Sequence, residues 1–301
     1  MTLLTPKSAA SSMTSGCGSI PEGYKDSEFM PEGNSRSMIL LDQEEADRQD
    51  FQHYIIRHLQ HGNYNAPIED NFINGIKALD VGCGSGRWTV DMAEDYPASH
   101  FTGIDIVSDI LPKTGYPENC TFMQANTLKG LPFEDNTFDF VFQRLMVLNF
   151  TPADWEHAIR EIIRVTKPGG WIELYEVDMQ LQRPGRTFLK FFRGLQTASE
   201  SNNIDISLVN HLPEIVSSHH LINIHSDYIS LPLGWRGRVG ELFLNNWRMI
   251  YLAMQQILAP AMGVTADEYQ DLIRKACTEF PEKKSWTKML YVYGMKPPAD
   301  E

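Results

Sequence analysis

Residues 78–88 read Ala-Leu-Asp-Val-Gly-Cys-Gly-Ser-Gly-Arg-Trp, and no other stretch constrains the chain as much. An apolar strand, Ile76 to Val81, runs into a turn with glycine at every second position. A helical pattern follows at once, with Trp88, Thr89, Met92 and Ala93 on one face. Glycines at such a turn let a ligand lie against bare backbone that a Cβ would block. Strand, glycine turn and helix together make the front edge of a Rossmann-like nucleotide site.

The spacing then selects among nucleotides. The dinucleotide fingerprint G-x-G-x-x-G needs a third glycine where this chain has Arg87. The chain instead reads Asp80-x-Gly82-x-Gly84-x-Gly86, with a carboxylate at the strand end. A pyrophosphate is poorly served by that carboxylate, because a helix N-terminus is a site for anions. S-adenosylmethionine (SAM) carries a sulfonium and an ammonium, so the pattern suits SAM better than NAD. The alternative is a structural glycine turn in some other α/β domain.

Composition narrows the remaining classes. A chain of 301 residues holds one large domain or two small ones and can bury a sizeable core. The net charge of −13 argues against loose binding to a nucleic-acid backbone, although a local basic patch stays open. Cys17, Cys83, Cys120 and Cys277 form no C-x-x-C pair, and their spacing suggests neither a disulfide framework nor a zinc site. The expectation is a reducing compartment, cytoplasmic with nuclear residence open. No apolar run is long enough to span a membrane, and no secretory signal pattern is evident.

The predicted fold is α/β, a Rossmann-like doubly wound sheet, mostly parallel with an antiparallel last strand, plus a helical cap insertion. Residues 1–35 are expected to be a flexible tail and 36–70 a helical lid. In the lid, Asp42 can cap a helix over 42–61 that shows Phe51, Ile55 and Leu59 at i+4 before Gly62 and Asn63 stop it. Residues 71–180 form the cofactor core, with strands at 76–81, 101–106, 121–125, 137–143 and 171–177 and an amphipathic helix at 155–166. Residues 181–301 are expected to finish the sheet with strands at 221–231 and 286–295. Helices are expected at 186–200, 207–218, 238–259 and 265–279. The 238–280 segment would cap the carboxyl ends of the strands, where open α/β sheets bind ligands.

Asp80 to Gly86 resembles motif I of the class I SAM-dependent methyltransferases. Leu131-Pro132-Phe133, Phe138-Asp139, Arg160-Glu161 and Val165-Thr166-Lys167-Pro168-Gly169-Gly170 look like that family's run to its fifth strand. Asp42 to His53, with Asn65-Ala66-Pro67-Ile68, resembles the leader of fungal LaeA-like methyltransferases. Trp171-Ile172-Glu173-Leu174-x-Glu176 and Val292-Tyr293-Gly294-Met295-Lys296-Pro297 look similar again, so the resemblance covers roughly residues 35–297. Cys83 and Ser85 stand where the family usually has Thr, and both are small. The resemblance implies SAM as the cofactor. It leaves the acceptor open, because members range from small-molecule enzymes to regulators of secondary metabolism.

Asp105, about 20 residues beyond Gly86 at the end of the next strand, is placed to accept from ribose hydroxyls, with a solvated loop aspartate as the alternative. Ile106 beside it would pack on the adenine face, and Cys83 lies within the loop itself. The resemblance implies an acid near Asn126 for the adenine amino group. Here Asn126 and Thr127 must serve, or form an ordinary polar loop. Gln143 and Arg144 close the fourth strand. Gln143 would meet the methionine end of SAM, and Arg144 would pair with its carboxylate or with Asp80 or Glu176.

A general base is needed only for a protonated nucleophile. The candidates are Glu176, Tyr175 and His211, with an ion pair, core packing and a surface helix as their respective alternatives. His53, His58, His61, His219, His220 and His225 show no metal-site spacing and are read as structural or solvated. Phe188, Phe191, Phe192, Trp235, Phe243, Trp247 and Tyr251 would line an apolar acceptor pocket or belong to the core. The expected function is methyl transfer from SAM to a small-molecule acceptor, with no nucleic-acid or membrane partner. A SAM-binding regulator acting through a protein partner is the alternative, and an NAD-dependent dehydrogenase is a weaker third.

Overall fold

The computed structural model describes residues 43–299. The tail expected over 1–35, the first residues of the lid, the Asp42 cap and Cys17 lie outside the described residues. One seven-stranded sheet organises the rest. Its strands are β1 Lys77–Val81, β2 His100–Asp105, β3 Cys120–Gln124, β4 Phe138–Arg144, β5 Thr166–Val177, β6 Ile222–Pro232 and β7 Trp286–Met295. They are ordered β3-β2-β1-β4-β5-β7-β6. Strands β1 to β5 pair in parallel, and β7 runs antiparallel to both β5 and β6. The apolar runs of β1 and β4 are buried on both faces, as a covered parallel sheet requires.

The helices are α1 Gln43–Gln60, α2 Glu69–Asn74, α3 Arg87–Asp95, α4 Pro152–Val165, α5 Arg186–Ser201, α6 Leu212–Ser218, α7 Arg238–Ala253, α8 Gln255–Met262 and α9 Ala266–Lys283. Right-handed crossovers place α3 and α4 on opposite faces, since β1 to β3 advance one way and β4 and β5 the other. On the α3 face, Trp88 stacks on Phe142 with centroids 4.3 Å apart. Phe72 from α2 meets Phe101 at 5.8 Å and Phe140 at 5.4 Å. On the α4 face, Trp155, Ala158, Ile159 and Ile162 are buried. A complete capping box of Thr151 and Asp154 starts that helix.

Helix α2 was not expected from the sequence, and several boundaries differ from the expectation. Residues 207–218 divide into a 3-10 turn, Leu208–His211, and α6. The helix expected over 238–259 divides at Met254 (φ −82°, ψ 1°) into α7 and α8, and Pro260 lies inside α8. Helix α9 continues through Pro281 to Lys283. Strand β5 begins at Thr166, which pairs with Phe138 of β4 before a register shift, and Lys296 N, just beyond β7, donates to Gly170 O at 2.9 Å.

Because β6 is parallel to β5, the chain leaves β6 and re-enters β7 at the sheet edge that carries the glycine turn. The α7–α9 insertion therefore starts from that edge. Phe188, Phe191, Phe243, Trp247 and Tyr251 form its packed core with α5, and Trp247 stacks on Tyr251 at 4.1 Å. Trp235 is anchored instead by its indole N–H on Ser285 O at 2.6 Å. Among the described residues no helix is long and apolar enough to cross a membrane.

Glu173 joins the N-terminal region to the sheet. Its fully buried carboxylate accepts from Asn65 N at 2.9 Å, Asn65 Nδ2 at 2.8 Å and Ala66 N at 2.9 Å. Trp88 Nε1 donates to Asn63 O at 2.7 Å in the same segment. Glu173→Ala would leave the buried Ala66 N and the half-buried Asn65 donors without this partner. Each such donor costs about 1–3 kcal/mol. The variant should lose about 2–4 kcal/mol of stability in denaturant melts, and an unchanged midpoint would show that Glu173 does not hold this junction.

Candidate cofactor site

Gly82, Gly84 and Gly86 all adopt left-handed backbone, with φ of 70°, 56° and 74°. A side chain there would be strained. The turn is held by Cys83 N on Ile104 O at 2.9 Å and Gly86 N on Cys83 O at 2.9 Å. A Cβ at Gly86 would meet the Phe122 ring and Pro112, and one at Gly84 would strike Gln49 Oε1. Helix α3 then starts at Arg87, whose Nε donates to Asp91 Oδ1 at 2.8 Å.

The two acids sit where the spacing puts them. Asp80 is 3% exposed and accepts from Thr89 Oγ1 at 2.6 Å. Burial pushes its carboxyl up to about 6, against the lowering by Thr89 and by the Arg144 charge. Asp105 ends β2 and holds two backbone donors, Gly84 N on Oδ2 at 2.9 Å and Val107 N on Oδ1 at 2.9 Å. Burial raises this carboxyl also. Each Asp105 oxygen keeps a second lone pair for a hydroxyl donor. Ile106 follows half-buried, its carbonyl taking Gln124 Nε2 at 2.8 Å. Asn126 caps the short 3-10 turn Thr127–Lys129, its Oδ1 accepting from Leu128 N at 2.9 Å.

Gln143 stands in register with Val81, fully buried, and neither end of its carboxamide has a protein partner among the described residues. Arg144 follows at the level of the turn. Among the described residues it pairs with neither Asp80 nor Glu176. Its Nη2 instead donates to His53 Nδ1 at 3.0 Å. His53 Nε2 in turn lies 2.8 Å from Asp91 Oδ2, and Arg57 and Arg87 both pair with that carboxylate.

His53 belongs to a polar stripe that apolar periodicity does not detect. Glu45, Arg48, Gln49, Gln52 and His53 fall at i, i+3, i+4, i+7 and i+8 and form the inward face of α1. Gln49 Oε1 accepts from Ser85 N at 3.1 Å, so α1 lies directly on the glycine turn. Arg48 binds both Glu45 oxygens, at 2.7 and 2.6 Å, and reaches Asn246 Oδ1 of α7 at 2.9 Å. The lid thus touches the turn, α3, β4 and the cap insertion.

The three candidate bases are placed differently. Both oxygens of buried Glu176 are taken by backbone, Met146 N at 2.7 Å and Val147 N at 3.0 Å, which fixes the loop after β4. Burial pushes its carboxyl up to about 8. Tyr175 is buried against Tyr291, with centroids 5.6 Å apart, and burial raises its hydroxyl. His211 is exposed at the end of the 3-10 turn. Beside it, a cavity of about 500 Å³ opens after β5, lined by Asp178, Gln180, Phe192, Gln196, Ile204 and Asn210.

A strand-ordered sheet of this topology with a glycine turn and an acid at the end of β2 defines a class I, Rossmann-like methyltransferase fold. Residues 78–170 match the family model described as a methyltransferase domain, and the chain carries such a domain over that segment. The secondary metabolism regulator laeA of Aspergillus fumisynnematus is 27% identical over 146 residues, 48% of this chain and 37% of that protein. Demethylmenaquinone methyltransferase of Staphylococcus aureus is 38% identical over 109 residues, 35% of this chain and 44% of the enzyme. The chain thus spans less than half the length of these relatives. A solved structure from Anabaena variabilis, a candidate methyltransferase of an antibiotic biosynthesis pathway, shares the fold. Its TM-score is 0.50 at 15% identity, over 80% of this chain and 97% of that one.

The lid contact should respond to pH through His53. Burial, with the Arg144 and Arg87 charges, lowers the His53 imidazole to about 4, although Asp91 opposes this. An unfolded His binds its proton near its ordinary value, so the stability this group contributes is present above about 6.5 and is lost as pH falls towards 4. The loss at pH 5 is about 2 kcal/mol. Wild-type protein should therefore lose more stability than His53→Gln between pH 7 and 5. Parallel melting curves for the two would contradict the buried neutral imidazole.

Proposed function

We propose that this protein is a SAM-dependent methyltransferase acting on a small-molecule acceptor. The observation that carries the proposal is the turn Gly82–Gly86, three left-handed glycines under a lid, with the Asp105 carboxylate bonded to Gly84 N. The residues present fit the cofactor. The glycine turn, where added Cβ atoms would meet Met146, Gln49 and Phe122, adjoins an orphaned carboxamide at Gln143 and, at Arg144, guanidinium donors without a partner among the described residues.

When bound, SAM supplies an electrophilic methyl group on a sulfonium. The glycine turn would hold its amino-acid end, with Gln143 and Arg144 beside it. Asp105 would take the ribose hydroxyls, and Ile106 and Asn126 would flank the base. Helix α1 would keep water from the turn, which favours a displacement that depends on alignment. With both oxygens on backbone N–H groups, Glu176 would shape the loop after β4 rather than take a proton. The cavity after β5 has the size of a small-molecule site and would receive the acceptor. The similarity to a secondary metabolism regulator favours a second reading, a SAM-binding regulator that acts through a protein partner.

Calorimetric titration with SAM and, in parallel, NAD tests the cofactor. SAM should bind and NAD should not. Asp105→Ala should weaken SAM, and Gly84→Asp should weaken it by at least about 30-fold with the far-UV spectrum kept. Unchanged SAM affinity in Gly84→Asp would remove this turn from the site. Methyl label from SAM recovered in extractable small molecules supports the enzyme; SAM binding with no label transferred favours the regulator, in which methylation is secondary or lost.

A further inference from the structure

We infer that His53 is a positioning residue that aims the Arg144 guanidinium at the carboxylate of the bound cofactor's amino-acid end. The inference rests on the SAM reading above. It begins with a constraint on protons. A guanidinium has donors only, so the 3.0 Å contact from Arg144 Nη2 requires His53 Nδ1 to be an unprotonated acceptor. The imidazole proton must then sit on Nε2, where it donates to Asp91 Oδ2 at 2.8 Å. Asp91 is itself fixed by ion pairs from Arg57 and Arg87, and both Asp91 and His53 are buried. Orientation therefore passes from Asp91 through His53 to Arg144.

The end of that chain is Arg144, one residue past the Gln143–Val81 register pair and so level with Gly82. A guanidinium held at one nitrogen presents its other donors as a planar fork, the shape that matches a carboxylate. Among the described residues no carboxylate forms an ion pair with Arg144, although Asp80, Asp91 and Asp50 feel its charge. Asp80 takes Thr89, Asp105 takes Gly84 and Val107, and Glu176 takes Met146 and Val147. The fork is thus left for a carboxylate from outside the chain. Fixing it beforehand reduces the entropy lost on binding.

Titration with SAM and with decarboxylated SAM, which keeps the adenosine and sulfonium but lacks the carboxylate, tests this. Wild-type protein should prefer SAM by about 10- to 100-fold. His53→Phe, of similar volume, removes both imidazole hydrogen bonds. It should weaken SAM by about 10-fold and leave decarboxylated SAM nearly unchanged. His53→Gln can donate to Asp91 and accept from Arg144, and should restore most of the preference. Equal weakening of both ligands in His53→Phe would overturn the inference and leave His53 a support of the lid. Nitrogen-15 spectra of wild-type protein should show His53 Nδ1 unprotonated at neutral pH, whether or not the variants fold, and a protonated Nδ1 would overturn it equally. SAM binding with no preference over the decarboxylated form defeats this inference alone. No SAM binding at all defeats the cofactor reading as well.

Discussion

Asp91 is the carboxylate on which the site depends. It lies in α3, one turn beyond the glycine loop, and three groups converge on it: His53 and Arg57 from α1 and Arg87 from α3. The partners hold its carboxyl well below the usual carboxylate range, against a burial that alone would raise it. A buried carboxylate is tolerable only when it is paired in this way. The pairing fixes α1 over the turn, and through His53 it reaches the end of β4. Removing Asp91 would leave two arginines and an imidazole competing for the same space.

The other buried carboxylates do structural work of a different kind. Glu173 and Glu176 lie on opposite faces of β5, and each is satisfied by backbone N–H groups rather than by a cation. Glu173 draws in the segment 65–66, and Glu176 draws in 146–147. One strand thereby sets the position of the lid's exit and of the loop beside the glycine turn. Asn65-Ala66 and Trp171–Glu176, two stretches on which the family resemblance rests, meet here. They are partners in one set of hydrogen bonds.

Much of this was legible in the sequence because it rests on local pattern. The apolar runs of the strands, the glycine spacing and the acid at the end of β2 each have a short-range signature, whereas strand–helix alternation gave a doubly wound sheet without its strand order. The lid's inner face was not legible. Phe51, Ile55 and Leu59 supply an apolar period, but the helix buries Glu45, Arg48, Gln52 and His53 on an adjoining stripe. Polar residues at helical spacing reveal such a face only when their partners are known, and those partners lie on α3, β4 and α7. The break at Met254 left no glycine or proline signal, and Glu173 bonds a segment more than a hundred residues away. In the aromatic cluster, composition did not separate pocket from core, and burial did.

The glycine turn and the polar face of α1 would form two walls of one cofactor site. Hydrogen–deuterium exchange with and without saturating S-adenosylhomocysteine tests it most directly, because exchange reports local opening segment by segment. Exchange should slow in residues 82–87 and in α1 together. Protection of the turn with α1 unchanged, or protection of neither, would contradict it.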